Sequence, residues 1–194
     1  MKPNKLIVAA AMLAACMAFA VPASAQDAGK FYLGLSVGQS NAKDGCTGLS
    51  GPGISCEDTD TAFGITGGYW FTRNIALEVG YHDFGKFKAS GPGGSAEIAG
   101  TAYEVVGVAS YPASETMSIY GKLGFYSGEA KLSSSIGISG KDTNTDATYG
   151  FGLQYNVNPS LGIRGEYRVY SSLGGSTVGE SDVDVFSVGA LWNF

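Results

Sequence analysis

The sequence predicts an all-β chain, an eight-stranded antiparallel up-and-down transmembrane β-barrel, and three observations carry that expectation. From residue 30 onward, segments of about ten residues alternate large apolar with small or polar side chains, the period of a strand with two different faces. The connections between these segments alternate long and short, as they do in a barrel with loops at one mouth and turns at the other. A short apolar leader opens the chain, and no later apolar run is long enough for a spanning helix.

The leader is read first. Lys2 and Lys5 precede an unbroken apolar run from Leu6 to Val21, which ends at Pro22 and the small residues Ala23, Ser24 and Ala25. That order is a secretory signal peptide, with Ala23 and Ala25 forming the cleavage site, so residues 1–25 are expected to be removed and 26–194 to form the barrel domain. Leu13-Ala14-Ala15-Cys16 has the look of a lipoprotein cleavage box, but apolar sequence continues past Cys16 and a better site follows. The formal net charge is −5, and the leader holds two lysines and no acid, so the remainder is more acidic still. Its few basic residues are dispersed and offer no stripe for phosphate backbones, which argues against nucleic-acid binding.

The strands follow in order. The first sets Phe31, Leu33, Leu35 and Val37 against Tyr32, Gly34, Ser36 and Gly38; the second sets Phe63, Ile65 and Tyr69 against Gly64, Thr66 and Gly68. In the third, Ile75, Leu77, Val79 and Tyr81 oppose Ala76, Glu78, Gly80 and His82. The fourth, near Ile98 to Tyr111, is the least clean, because Val106 and Val108 fall on the polar side with Glu104. The fifth opposes Ile119, Leu123 and Phe125 to Tyr120, Lys122, Gly124 and Tyr126, and the sixth opposes Tyr149, Phe151, Leu153 and Tyr155 to Gly150, Gly152 and Gln154. The seventh alternates Leu161, Ile163, Tyr167 and Val169 with Gly162, Arg164, Glu166 and Arg168; the eighth runs Phe186, Val188, Ala190, Trp192 and Phe194 against Ser187, Gly189, Leu191 and Asn193. Connections near 40–59, 85–97, 131–145 and 172–182 are expected as long polar loops, and 71–74, 112–116 and 156–160 as tight turns.

Hydrocarbon offers no partners for backbone N–H and C=O groups, so a sheet that crosses it must close. Eight strands fill their interior with side chains. The aromatic, apolar face is therefore expected toward lipid, and the face rich in Gly, Ser and charge toward the lumen. A soluble barrel would invert the two faces; strand length, aromatic residues near strand ends and the terminal aromatic weigh against it. The lumen then receives Glu78, Glu104, Lys122, Arg164, Glu166 and Arg168, three acids and three bases whose charges cancel. A balanced set in a confined interior points to mutual pairing, either as a polar core or as the lining of an ion path. Cys46 and Cys56 lie close together in an exported chain and are expected to form a disulfide that staples one outer loop; no His or Cys stands near enough to complete a metal site.

The stretch GFGLQYNVNPSLGIRGEYRVY from Gly150, the earlier GYWFTRNIALEVGYHDFG from Gly68 and the terminal VDVFSVGALWNF resemble the transmembrane domain of outer membrane protein A and its small barrel relatives, a likeness that covers nearly the whole mature chain. The resemblance implies residence in the cell outer membrane among its lipids. It also implies a signal read by the barrel-assembly machinery, which by position falls on Phe186, Val188, Ala190, Trp192 and Phe194. A mid-lumen cluster of acids and bases is implied as well, matched by Glu78, Lys122 and Arg164, with Gln154 where an acid would be expected. Larger members carry a peptidoglycan-binding domain after the barrel, which a chain ending at Phe194 is not expected to have.

Three functions are compatible with this pattern. The first is a non-enzymatic surface barrel that supports the envelope and presents loops to a host or surface ligand; the second is a narrow ion or small-solute pore. The third is a lipid-modifying enzyme, for which the lone histidine His82, followed by Asp83 and Phe84, supplies no nucleophile pattern. No catalytic residue, metal or cofactor is expected.

Overall fold

In the computed structural model, residues 28–43, 45–48, 51–177 and 179–194 are described; the leader at 1–25, with its cleavage residues Ala23 and Ala25, lies outside them. The described residues form β1 (Phe31–Ala42), β2 (Ser55–Glu57), β3 (Thr59–Trp70), β4 (Ile75–Gly91), β5 (Gly94–Pro112), β6 (Met117–Ser134), β7 (Ser139–Asn158), β8 (Leu161–Gly175) and β9 (Gly179–Asn193). All but β2 join one closed antiparallel barrel. Each strand pairs with its neighbours in sequence, and β1 pairs with β9 from Tyr32↔Asn193 to Ala42↔Val183 to close the ring. The short β2 lies on β4, pairing Ser55–Glu57 with Lys88–Ser90.

Alternation decides which side chain faces out. Phe63, Phe125, Phe151 and Phe186 are each about 60% exposed, and the same band holds Leu35, Val105, Leu153 and Val188. An apolar girdle of this extent has no place against water, and it is the surface a hydrocarbon solvent requires. Each short turn is closed by a polar side chain that accepts backbone N–H groups: Thr72 Oγ1 from Asn74 and Ile75, Ser114 Oγ from Thr116 and Met117, and Asn158 Oδ1 from Ser160 and Leu161. In outer-membrane barrels such turns face the periplasm and the longer connections face outward.

Two expectations are corrected. Most of the segments at 85–97, 131–145 and 172–182 are not loops: among the described residues the strands continue through them as hairpins, turning at residues 92–93, 135–138 and 176–177. Strands of 17–20 residues in β4 to β7 exceed the ~10 needed to cross a bilayer, so the surplus stands outside it. There the apolar and polar contrast weakens, and the ladder is held by backbone pairing with exposed ion pairs such as Lys86–Glu97 and Glu129–Lys141. Second, the lumen is not simply polar. Tyr32, Trp70, Ala76, Val106, Val108, Tyr120 and Leu191 form a buried apolar layer toward the turn end, which is where the inward Val106 and Val108 belong. A second apolar layer, built around Phe84, Phe87, Tyr126, Tyr170, Leu173 and Val185, lies toward the outer end. Val169, expected on the lipid face, is buried, flanked in register by Tyr149 and Asp184.

The outer layer depends on a bulge in β4. Register with the neighbouring strand shifts between Asp83 and Lys86, and Gly85 adopts a left-handed φ of 75° while its N–H donates to Asp83 Oδ1 at 2.8 Å. One extra residue flips the phase, so that Phe84 and Phe87 are both buried although three apart. A Cβ at Gly85 would press on the Asp60 carboxylate.

Candidate functional site

Between the two apolar layers lies the charged layer, and its residues arrive from few strands. β4 supplies Glu78 and His82, β5 Glu104, β6 Lys122, and β8 supplies Arg164, Glu166 and Arg168 at every second position, hence on one face. In the ring of eight, β4 and β8 stand opposite one another, so contacts between them cross the lumen.

The structure brings all six expected charges together as an alternating chain. Arg164 Nη1 lies 3.0 Å from Glu78 Oε2, and Lys122 Nζ lies 2.5 Å from Glu78 Oε1 and 2.8 Å from Glu166 Oε2. Arg168 continues the chain, with Nη2 at 2.6 Å from Glu166 Oε1 and Nη1 paired with Glu104. His82 Nε2, 3.1 Å from Glu104 Oε1, ends it. Charges buried this way are stabilised only when each is paired and its remaining hydrogen-bonding capacity filled.

For the three acids that second requirement is met by tyrosines, whereas Arg164 Nη2 and Arg168 Nε are buried without a hydrogen-bond partner. Tyr32 Oη donates to Glu78 at 2.8 Å, Tyr120 Oη to Glu166 at 2.8 Å, and Tyr170 Oη to Glu104 at 2.9 Å. Each acid thus has its own tyrosine. The Arg164 guanidinium stacks over the rings of Tyr32 and Tyr120, 5.2 and 4.9 Å from their centroids, and its Nε donates to Gln154 Oε1 at 2.8 Å. Gln154, the residue standing where an acid was expected, accepts from an arginine without adding charge. In a layer that already balances, a further carboxylate would leave it negative. Alternation places Tyr32 and Tyr120 on the inward face, but their carboxylate partners, like that of Tyr170, lie on other strands, 46 to 66 residues away, and no spacing in the sequence links them.

Little space remains beside this layer. Cavities of about 30 and 10 Å³ lie between it and the β1–β9 wall, lined by Ser36, Thr66, Ser187 and the charged side chains themselves. The smaller is at the limit for one water molecule.

The other expected site residues lie elsewhere. Cys46 and Cys56 form a disulfide, S–S 2.03 Å, that ties β2 to the start of the outer connection. Phe186, Val188, Trp192 and Phe194 are exposed on the lipid side and Ala190 is half-buried, forming one face of β9 and its end, while Leu191 points into the turn-end apolar layer.

A closed eight-stranded barrel with an apolar girdle and a plugged, ion-paired lumen defines a small integral protein of the bacterial outer membrane. The sequence matches the model of the Outer membrane protein beta-barrel domain over residues 11–194, and the chain belongs to that family, residing in the cell outer membrane. It is 25% identical to Outer membrane protein A of Escherichia coli O157:H7 over 98% of its own length and 55% of that protein, and 29% identical to Outer membrane protein P5 of Haemophilus influenzae over 87% and 50%. The chain therefore spans about half the length of these curated relatives. A shorter match, 39% identical over 77 residues, covers 40% of this chain and 42% of the attachment invasion locus protein of Yersinia pseudotuberculosis. Among solved structures, Neisserial surface protein A aligns with a TM-score of 0.58 at 15% identity, covering 84% of this chain and 97% of its own. Ail of Yersinia pestis, solved with the heparin analogue sucrose octasulfate, aligns with a TM-score of 0.56 at 21% identity over 86% and 99%. At these identities the two structures speak to the fold.

Proposed function

We propose that this protein is a non-enzymatic outer-membrane barrel that supports the envelope and presents its outer hairpins to the surroundings, delivered by a signal peptide at residues 1–25 and assembled through its last strand. The carrying observation is the plugged lumen: a buried ion-pair layer held between two apolar layers, with cavities of only about 30 and 10 Å³ beside it among the described residues. This weighs against the narrow pore, since an ion would have to displace paired charges and then pass Trp70 on one side or the Phe84–Tyr170 ring pair, centroids 4.7 Å apart, on the other. It weighs against an enzyme as well, because His82 faces Glu104 in the plugged interior and no nucleophile among the described residues is hydrogen-bonded to it.

The hairpins that rise above the girdle are the natural contact surface. Lysines there are outnumbered by carboxylates about two to one, so a polyanion such as the heparin analogue seen with Ail meets an unfavourable field on this chain. In β9 the exposed row Phe186, Val188, Trp192 and Phe194 is the surface proposed for recognition by the assembly machinery.

The test is made in cells. A strain lacking the protein is compared with one carrying it for sensitivity to detergent and to large antibiotics, and with one carrying a barrel whose hairpins are cut back to short turns. Restored resistance with either barrel, together with absence of steady single-channel conductance in planar bilayers, is the expected result. Stable open channels of the purified barrel would overturn the reading.

A further inference from the structure

Above the outer apolar layer the barrel is hollow. A cavity of about 370 Å³ is walled by Ala89, Ala96 and Ile98 and bottomed by Phe87, Leu173 and Val183, with Gly45 and Cys56 of the disulfide loop on one side. Its floor is tight: a Cβ added to Gly100 would come within 3.2 Å of both Leu173 and Phe84, and below these the Tyr126 and Tyr170 rings pack edge to face. Among the described residues the cavity is therefore a dead end that opens outward. It also stands clear of the hydrocarbon, because the ~10 residues that β4 needs to cross a bilayer from Ile75 are used up before Phe87.

The walls of this cup turn their charges away from it. Glu57, Lys88, Glu97 and Glu180 stand on the same strands but alternate with Cys56, Ala89, Ala96 and Ser181, and successive side chains of a strand leave by opposite faces. Glu97 meets its partner Lys86 on that outer face, at 2.9 Å. The one hydroxyl among the described lining residues, that of Ser181, donates to the Asp182 carbonyl at 3.2 Å. The cup is thus apolar on its inner side and has no polar side chain to spare.

Such a lining selects its occupant. An ion of either sign would give up its hydration for walls that return no partner, and a sugar or peptide would leave its polar groups unpaired. Ordered water fares no better, since a buried water needs several polar partners. An uncharged apolar molecule gives up nothing by entering. An apolar cavity of ~150 Å³ is already enough for benzene, so this one has room for one or two rings, and its volume lies within the range of small-molecule sites.

We propose that this outer vestibule binds small uncharged apolar molecules of one or two rings, seated on Phe87, Leu173 and Val183 and flanked by Ala89, Ala96 and Ile98. This activity goes beyond support of the envelope: the barrel captures apolar solutes at the cell surface, and its tight floor keeps them from passing inward.

The full barrel in lipid nanodiscs, with methyl groups of Ile, Leu and Val labelled, is titrated with toluene and separately with benzylammonium and toluenesulfonate, which put a charge of either sign on the same ring. Expected are saturable shifts at Ile98, Leu173 and Val183 with toluene and at least fivefold weaker affinity for both ions. Ala96→Trp, which fills the cup from its wall, is expected to abolish the shifts; if that variant does not give a heat-modifiable barrel, Ala89→Phe takes its place. Xenon under pressure, an apolar probe indifferent to ligand shape, is expected to shift the same methyls. Shifts that fail to saturate, or that fall equally on lipid-facing Leu33 and Ile65, mean partition into the bilayer and overturn the proposal. It is overturned equally by an ion that binds as tightly as toluene, by undiminished binding in the filled variant, or by the absence of shifts with both toluene and xenon.

Discussion

Glu78 is the residue on which the lumen turns. It takes Lys122, Arg164 and the Tyr32 hydroxyl at once, so removing it leaves Arg164 without a carboxylate, Lys122 with Glu166 alone and one phenol without its acceptor. Breaking one side of a buried ion pair typically costs about 3–5 kcal/mol, and Glu78→Ala is expected to fall in that range by urea unfolding in lipid vesicles. Glu129, which pairs with Lys131 and Lys141 on an outer hairpin, offers the control: Glu129→Ala should leave the same transition unmoved. At the rim, Lys43 Nζ lies 3.1 Å from Asp184 Oδ1, and the hydrogen bond to that carboxylate raises its ammonium above the ordinary lysine range. Because the folded value is raised, the tether is complete below pH 10.5 and is lost as the pH climbs through that higher value. Faster proton exchange in the 43–48 segment on alkaline titration, absent in Lys43→Met, is the corresponding readout. The six lumen charges were legible as residues because alternation placed them on one face and their signs cancelled. Their pairing was not, since which strand stands opposite which follows from closure, and β4 meets β8 only across the finished ring.

At the scale of the element, each strand carries its lumen design in a period of two, and glycine makes room for what its neighbour projects. The Tyr120 hydroxyl lies over Gly152 on the adjacent strand, where a side chain would have to occupy the same space. Gly152→Val is expected to push Tyr120 off Glu166 and lower the temperature at which the compact gel band is lost, whereas Gly165→Ala, with open space at its Cβ, should not. The disulfide acts on a smaller piece: with Cys46→Ser and Cys56→Ser, β2 is expected to leave β4 and the 45–57 segment to become protease-sensitive, while barrel melting stays close to that of the parent. The eight spanning strands could be read from periodicity because hydrocarbon on one side and a packed lumen on the other impose contrast. Residues 139–147, Ser-Gly-Lys-Asp-Thr-Asn-Thr-Asp-Ala, form strand without any such contrast and so read as loop. The bulge at Gly85 is hidden for the opposite reason, because Phe84 and Phe87 break the strand alternation itself.

For the whole molecule, closure is the property that matters, and the simplest check is migration on a denaturing gel before and after boiling. The barrel is expected to run compactly until heated, and to do so even when the outer hairpins are shortened to turns at residues 88–97 and 129–143, because the girdle and the lumen layers lie below them. Loss of the shift on shortening would mean that the hairpins hold the cylinder. One consequence of the closing seam belongs to time. The ladder that joins Tyr32 to Asn193 links residues at opposite ends of the strand order, the most distant contacts in the sheet. Neighbouring strands can zip as hairpins as soon as both exist, but this last ladder must wait for β9, and the loop-closure entropy it bears is the greatest of any pairing. The rate at which the compact form appears should therefore respond to substitutions along β1 and β9 more than to equally costly ones at β5 and β6.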